Sequence, residues 1–146
     1  MSKIVTAAMV VIGDEILSGR TKDRNIGHLA DMMTALGIDL KEVRIVPDDQ
    51  AAIVEAVNAL RARNTYVFTT GGIGPTHDDI TADAIAAAFG VPCDYDEEAY
   101  RLLDEHYAAR GIPFTDARKR MARMPKGAEH IRNPISVAPG FRIANV

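Results

Sequence analysis

Apolar and polar positions fall along this chain in blocks whose periods switch between strand and helix. The first block, "KIVTAAMVVIG", is apolar almost throughout, rich in Val and Ile and closed by glycine, and predicts a largely buried strand. The polar segment "DEILSGRTKDR" follows and predicts a loop. From Asn25 onward, Ile26, Leu29, Met33 and Leu36 recur at helical spacing, with Gly37 as the stop. "IDLKEVRIV" has the composition of a strand. "PDDQ" then opens a helix with Ile53, Val57 and Leu60 on one face and Asp48 or Asp49 as its N-cap. "TYVFTT" predicts a third strand by its β-branched and aromatic content, and a helix from about Ile80 to Phe89 ends at Gly90.

Three strand–helix alternations with links too long for hairpins favour parallel pairing through right-handed crossovers. The expected fold is α/β, a three-layer α/β/α arrangement around a mostly parallel central sheet, in one domain over residues 1–146. "YDEEAYRLLDEHYAARG" predicts a further helix ending at Gly111. "TDARKRMARM" predicts a shorter one, capped by Thr115 or Asp116. The tail "HIRNPISVAPGFRIANV" alternates and turns like an irregular or antiparallel strand pair.

Composition narrows the function classes. With 146 residues there is chain for one core, and a net charge of -3 argues against a duplex nucleic-acid surface. Basic residues concentrate in "ARKRMARMPKGAEHIR", either a solvated helix face or a local contact for an anion or nucleotide. A single cysteine, Cys93, excludes an intrachain disulfide and suits a reducing compartment. The opening apolar run is too short to span a membrane and reads as a strand rather than a signal peptide, so a cytoplasmic location without membrane association is expected.

In an open parallel sheet, ligands lie beyond the carboxyl ends of the strands. Three polar segments are expected there: "GDEILSGRTKDRN", "PDDQ" and "GGIGPTHDDIT". Together they carry glycine backbone, hydroxyls and acids, of which Asp14, Glu15, Asp48, Asp78 and Asp79 are the candidate site residues. The last segment has no Lys for a Walker loop, and His77 stands where the third glycine of a dinucleotide fingerprint would be. Its glycines can still present N–H groups to an anion, with Thr70 and Thr76 as hydroxyl donors. Carboxylates beside a phosphate are costly unless a hard cation such as Mg²⁺ lies between them. Asp78 or Asp79 equally suits a cap for the following helix, and Asn25 and Asp48 have the same alternative. One of Arg20, Lys22 and Arg24 is a candidate for reaching a phosphate, and His77 is a candidate base or ligand.

"GDEILSG" at Gly13–Gly19, "DRN" at Asp23–Asn25, "VPDD" at Val46–Asp49 and "TTGGIGPTHDDIT" at Thr69–Thr81 resemble the molybdopterin-binding domain. That domain occurs in molybdenum-cofactor proteins, in gephyrin, and in the amino-terminal half of competence/damage-inducible protein A. Pro75 with the paired Asp78–Asp79 is most similar to the last branch, as is "ARKRMARMPKGAEHIRNPISVAPGF". The thirteen-residue glycine–acid motif is the specific signal. The resemblance implies binding of a phosphorylated pterin or a nucleotide, with Mg²⁺ or another divalent metal. By residue, it implies catalytic roles for Asp48 and Asp79 and metal ligation by Asp48, Asp78 and Asp79. Ligand binding falls to Gly13, Asp14, Glu15, Asn25, Thr70, Gly71, Gly72, Gly74, Pro75, Thr76 and Thr81.

The competence-protein branch implies a metal-dependent ADP-ribose pyrophosphatase. Two alternatives are a Mg-ATP-dependent molybdopterin adenylyltransferase and a non-catalytic pterin- or nucleotide-binding module. Ile73 and Asp78 stand where the adenylyltransferases carry Thr and a basic residue, which favours the hydrolase. The family's pattern continues beyond Val146 with another strand and a glycine–proline turn, so the chain is expected either to be truncated at the carboxyl end or to lack one wall of its site. Tyr100, Leu102, Leu103, Tyr107, Met121 and Met124 add apolar surface that points to a homo-oligomer, as relatives form dimers or trimers.

Overall fold

The structure, a computed structural model, describes residues 4–135 and 137–146. Lys3, at the start of the expected first strand, lies outside the described residues. The elements run β1 (Thr6–Ile12), α1 (Asp14–Leu17), α2 (Asn25–Ala35), β2 (Asp39–Val46), α3 (Gln50–Arg61), β3 (Tyr66–Thr70) and α4 (Thr81–Phe89). They continue with β4 (Cys93–Tyr95), α5 (Glu97–Ala109), α6 (Asp116–Lys119), β5 (Arg123–Pro125), β6 (Glu129–Ile131) and β7 (Gly140–Arg142); a 3₁₀ turn over Arg120–Ala122 joins α6 to β5. The chain divides into two compact units, one running to Gly71 and taking in Asn145 and Val146, the other spanning Gly72–Ala144.

The first unit holds the parallel sheet, in the order β2-β1-β3. Ala7 to Ile12 are all buried, so the central strand is covered on both faces, and its unbroken apolar run is what such a strand requires. Helix α3 packs on all three strands. Its buried face is Ile53, Ala56, Val57 and Leu60, and each large side chain there contributes about 1.5–3 kcal/mol by leaving water. Asp49 is its N-cap, accepting from the Ala52 N–H at 2.9 Å. Of the four periodic residues expected inward on α2, only Met33 is buried, and Leu36 is 66% exposed. The segment after β1, expected as loop, opens with the single helical turn α1, too short for periodicity to register.

The second unit contains two short antiparallel pairs, β4 with β5 and β6 with β7. The tail pair matches expectation; β4 and β5, three residues each, do not register as strands in the sequence. Ala99, Leu103, Ala122 and Met124 form its buried cluster, with Tyr100, Tyr107, Phe114, Met121 and Phe141 packed against it. The apolar side chains expected to mark an oligomer surface are therefore largely used within this unit. Asp96 caps α5 by accepting from Ala99 N at 2.9 Å, and Thr115 caps α6. Among the described residues no helix is long and apolar enough to cross a membrane.

Candidate functional site

Parallel pairing brings the ends of β1, β2 and β3 to one edge of the sheet, with Ile12 opposite Val46 and Val11 opposite Thr70. Gly13, Pro47 and Gly71 follow directly, so three turns leave the sheet on the same side. The Gly13 N–H donates to the Val46 carbonyl at 3.0 Å. Beyond it, Asp14 and Asp48 exchange reciprocal hydrogen bonds. The Asp14 N–H donates to Asp48 Oδ2 at 3.1 Å, and the Asp48 N–H donates to Asp14 Oδ1 at 3.2 Å. This double clasp holds two carboxylates side by side across the first and second turns.

Gly71 sits at φ 91, and a Cβ there would run into the Ile12 carbonyl oxygen, so only glycine fits this close crossing of β1. A cleft of about 560 Å³ opens beside it, lined by Glu15, Lys22, Arg24, Asn25, Thr70 and Gly71 among others. Four of the expected ligand-binding residues, Glu15, Asn25, Thr70 and Gly71, thus meet here together with two cations. The N-cap of α2 is Arg24, without a side-chain capping bond, and just before it Asp23 Oδ2 accepts from the Ile26 N–H at 2.8 Å, so Asn25 is not the cap. The Glu15 carboxylate folds over Gly13: a Cβ on that glycine would lie 2.6 Å from Glu15 Oε1.

In the second unit the glycine–acid loop closes on itself. Asp79 Oδ2 accepts from both the Thr76 N–H (2.9 Å) and the Thr76 hydroxyl (2.8 Å). Its carboxylate also occupies the space over Gly74, where a Cβ would come within 2.8 Å. Neither Asp78 nor Asp79 caps α4. The N-cap is Ile80, which makes no side-chain capping bond, because Asp79 has turned back into its own loop. Asp78 is largely exposed, 3.4 Å from His77 Nε2. Thr81 is fully buried and its N–H donates to the Gly72 carbonyl at 3.0 Å.

Gly72, Gly74 and Asp79 line a small pocket with Arg120 and Arg123. Pro75, Thr76 and His77 line a cleft of about 460 Å³ with Arg118 and Arg120. Arg123 is bidentate to Asp83, at 2.9 and 3.1 Å. The Nε of Arg120 is buried without a hydrogen-bond partner among the described residues. A desolvated N–H left so costs about 1–3 kcal/mol. The only sequence signal for this residue is the basic run around it; that it lacks a partner is visible only in three dimensions.

Among the described residues no three His, Cys, Asp or Glu side chains gather closely enough to cage a metal. The Asp14–Asp48 clasp does fit a hard cation of the kind held by one or two carboxylates and completed by substrate phosphates and water.

Residues 8–146 match the family described as a probable molybdopterin binding domain. The chain is 42% identical over 135 residues to a protein of Pyrobaculum arsenaticum, covering 92% of this chain and 51% of that one. It is 38% identical over 138 residues to a protein of Sulfolobus acidocaldarius, covering 94% and 52%. It therefore spans about half the length of these curated relatives. A crystal structure of the protein CinA, of unknown function, from Thermoplasma acidophilum is 30% identical, covers 96% of this chain and 82% of that one, and has a TM-score of 0.86. The tungsten cofactor synthesizing protein MoaB from Pyrococcus furiosus shares the fold at 20% identity and a TM-score of 0.57, covering 100% of this chain and 85% of that one. The glycine–acid motif, the parallel sheet and these likenesses agree: the chain belongs to the molybdopterin-binding domain family, on the side of its competence-protein (CinA) branch.

Proposed function

We propose that the chain binds a phosphorylated nucleotide or pterin and hydrolyses a nucleotide pyrophosphate of the ADP-ribose type with the help of a divalent metal. The observation that carries this reading is the Asp14–Asp48 clasp, set on the turns that also shape the Gly71 cleft with its Lys22 and Arg24. Asp14 and Asp48 would hold the cation, which when bound supplies charge neutralisation and an activated water. Lys22 and Arg24 attract the anionic ligand into the cleft, Thr70 offers a hydroxyl, and Gly71 allows close approach of backbone. Asp79 holds the shape of the glycine loop through Thr76. In the reaction an oxygen of water forms a bond to one phosphorus of the pyrophosphate. The bridging P–O bond breaks, AMP and a ribose phosphate leave, and one proton passes to solvent.

The other reading is a binding module without turnover. The test offers the purified protein ADP-ribose, and separately molybdopterin with ATP, each with and without Mg²⁺. Metal-dependent release of AMP from ADP-ribose supports the hydrolase. Adenylylated molybdopterin replaces it with the transferase, and tight binding without product leaves the module.

A further inference from the structure

The basic run Arg118–Arg123 carries four cations, and three have partners. Arg118 donates to the Pro113 carbonyl at 2.6 Å and lies over the Tyr107 ring at 5.3 Å. Lys119 is 3.8 Å from Asp116, and Arg123 is bidentate to Asp83. The Nε of Arg120 is buried and has no hydrogen-bond partner among the described residues. It nevertheless lines both concavities around the glycine–acid loop, one with Gly72, Gly74 and Asp79, the other with Pro75, Thr76 and His77. Asp79 lines the first of these with it and turns its Oδ2 to Thr76.

A guanidinium is a rigid fork of donors that matches the paired oxygens of a phosphate, and it stays charged at any ordinary pH. Holding one half-buried beside a glycine loop, without an acceptor, is unfavourable unless a ligand brings the acceptor. We infer that Arg120 is the receptor for a phosphate group of the ligand, gripping it against the Gly72–Asp79 loop. The inference rests on the phosphorylated-ligand reading above but not on turnover. It makes Arg120, rather than the other cations of the run, the residue on which anion affinity depends.

The test is calorimetric titration, without divalent metal and at fixed salt, of inorganic pyrophosphate, ADP-ribose and adenosine into wild type, Arg120→Ala and Arg120→Lys. Wild type should bind pyrophosphate and ADP-ribose. Arg120→Ala should weaken both by about tenfold to a hundredfold, as loss of a charge-assisted pair does. Arg120→Lys should recover only part, since a point charge does not reproduce the fork. Its adenosine affinity should match wild type. The melting temperature of Arg120→Ala should hold or rise, because an unsatisfied group has been removed. If that variant melts lower, Arg120→Met keeps the stem, and wild-type affinity in it would overturn the inference. Equal affinity of wild type and Arg120→Ala for both phosphates would overturn it too, while AMP release from ADP-ribose would leave the hydrolase standing. Arginine-dependent binding with no hydrolysis under Mg²⁺ would do the reverse.

Discussion

Asp79 performs a local task that the sequence does not assign to it. Its carboxylate accepts twice from Thr76 and fills the space over Gly74, so it sets the loop's shape as well as its charge. Two substitutions separate these effects. Asp79→Asn keeps an oxygen for Thr76 and should hold the melting temperature close to wild type, while AMP release from ADP-ribose falls by about a hundredfold or more with the lost charge. Asp79→Ala should lose the same activity and also about 0.5–2 kcal/mol of stability. Melting curves run beside turnover would show it, and full activity in Asp79→Asn would confine the residue to loop shape. Cys93 gives a second outcome at this scale. Burial pushes its thiol up to about 11, with Asp83 adding to the rise and Arg123 opposing it. At pH 8 the folded protein should therefore react with iodoacetamide far more slowly than the urea-unfolded chain, which mass spectrometry would resolve.

Between elements, Glu98 on α5 ties the helix to the β6–β7 hairpin. Its carboxylate accepts from Arg132 at 2.6 and 3.0 Å and lies 3.5 Å from His130 Nδ1. The Arg132 hydrogen bonds first, then the nearby His130 ring, hold its pKa below the ordinary 4.5. A depressed carboxylate contributes stability that is present above its unfolded pKa and is lost as pH falls through the folded one. Glu98→Gln should therefore flatten the decline of melting temperature below about pH 4.5, read as a shallower slope in an acid melting series. Long periodic elements such as α3, and the β1 run, were legible because burial imposes their pattern over many residues. The pairing of β4 with β5 was not, since three residues carry no period. Nor was the backward turn of Asp79, where Thr76 outcompetes the N-terminus of α4 for the carboxylate. At the site, the glycines could be read because the chain tolerates nothing else, as at Gly71 against Ile12. The Asp14–Asp48 clasp joins residues 34 apart in sequence and needs the parallel register before it exists.

For the molecule as a whole, the proposed metal and phosphate ligand can be tested together. If Mg²⁺ and ADP-ribose complete one another's coordination, the two together should raise the melting temperature by more than the sum of each alone. A ligand bound only by the folded state at a hundred times its Kd contributes about 2.7 kcal/mol. Differential scanning fluorimetry with EDTA as the control would measure it, and simple additivity would remove the shared metal–phosphate site.

Asn145 has a consequence for how the protein is made. Its carbonyl accepts from the Val67 N–H at 2.8 Å, and its side chain donates to the carbonyls of Arg61 and Asn64 at 3.1 and 3.2 Å. The parallel-sheet unit is thus interrupted in the chain by the whole of the other unit. On the ribosome, β1, β2 and β3 emerge early, yet the N–H of Val67 must wait for its partner while Gly72–Ala144 is translated. Bringing ends so distant together costs loop entropy that grows only with the logarithm of the separation, but it slows the search. The strand edge at β3 is therefore the last part of the sheet unit to be sealed during synthesis, and until then it is open to pairing with other nascent chains.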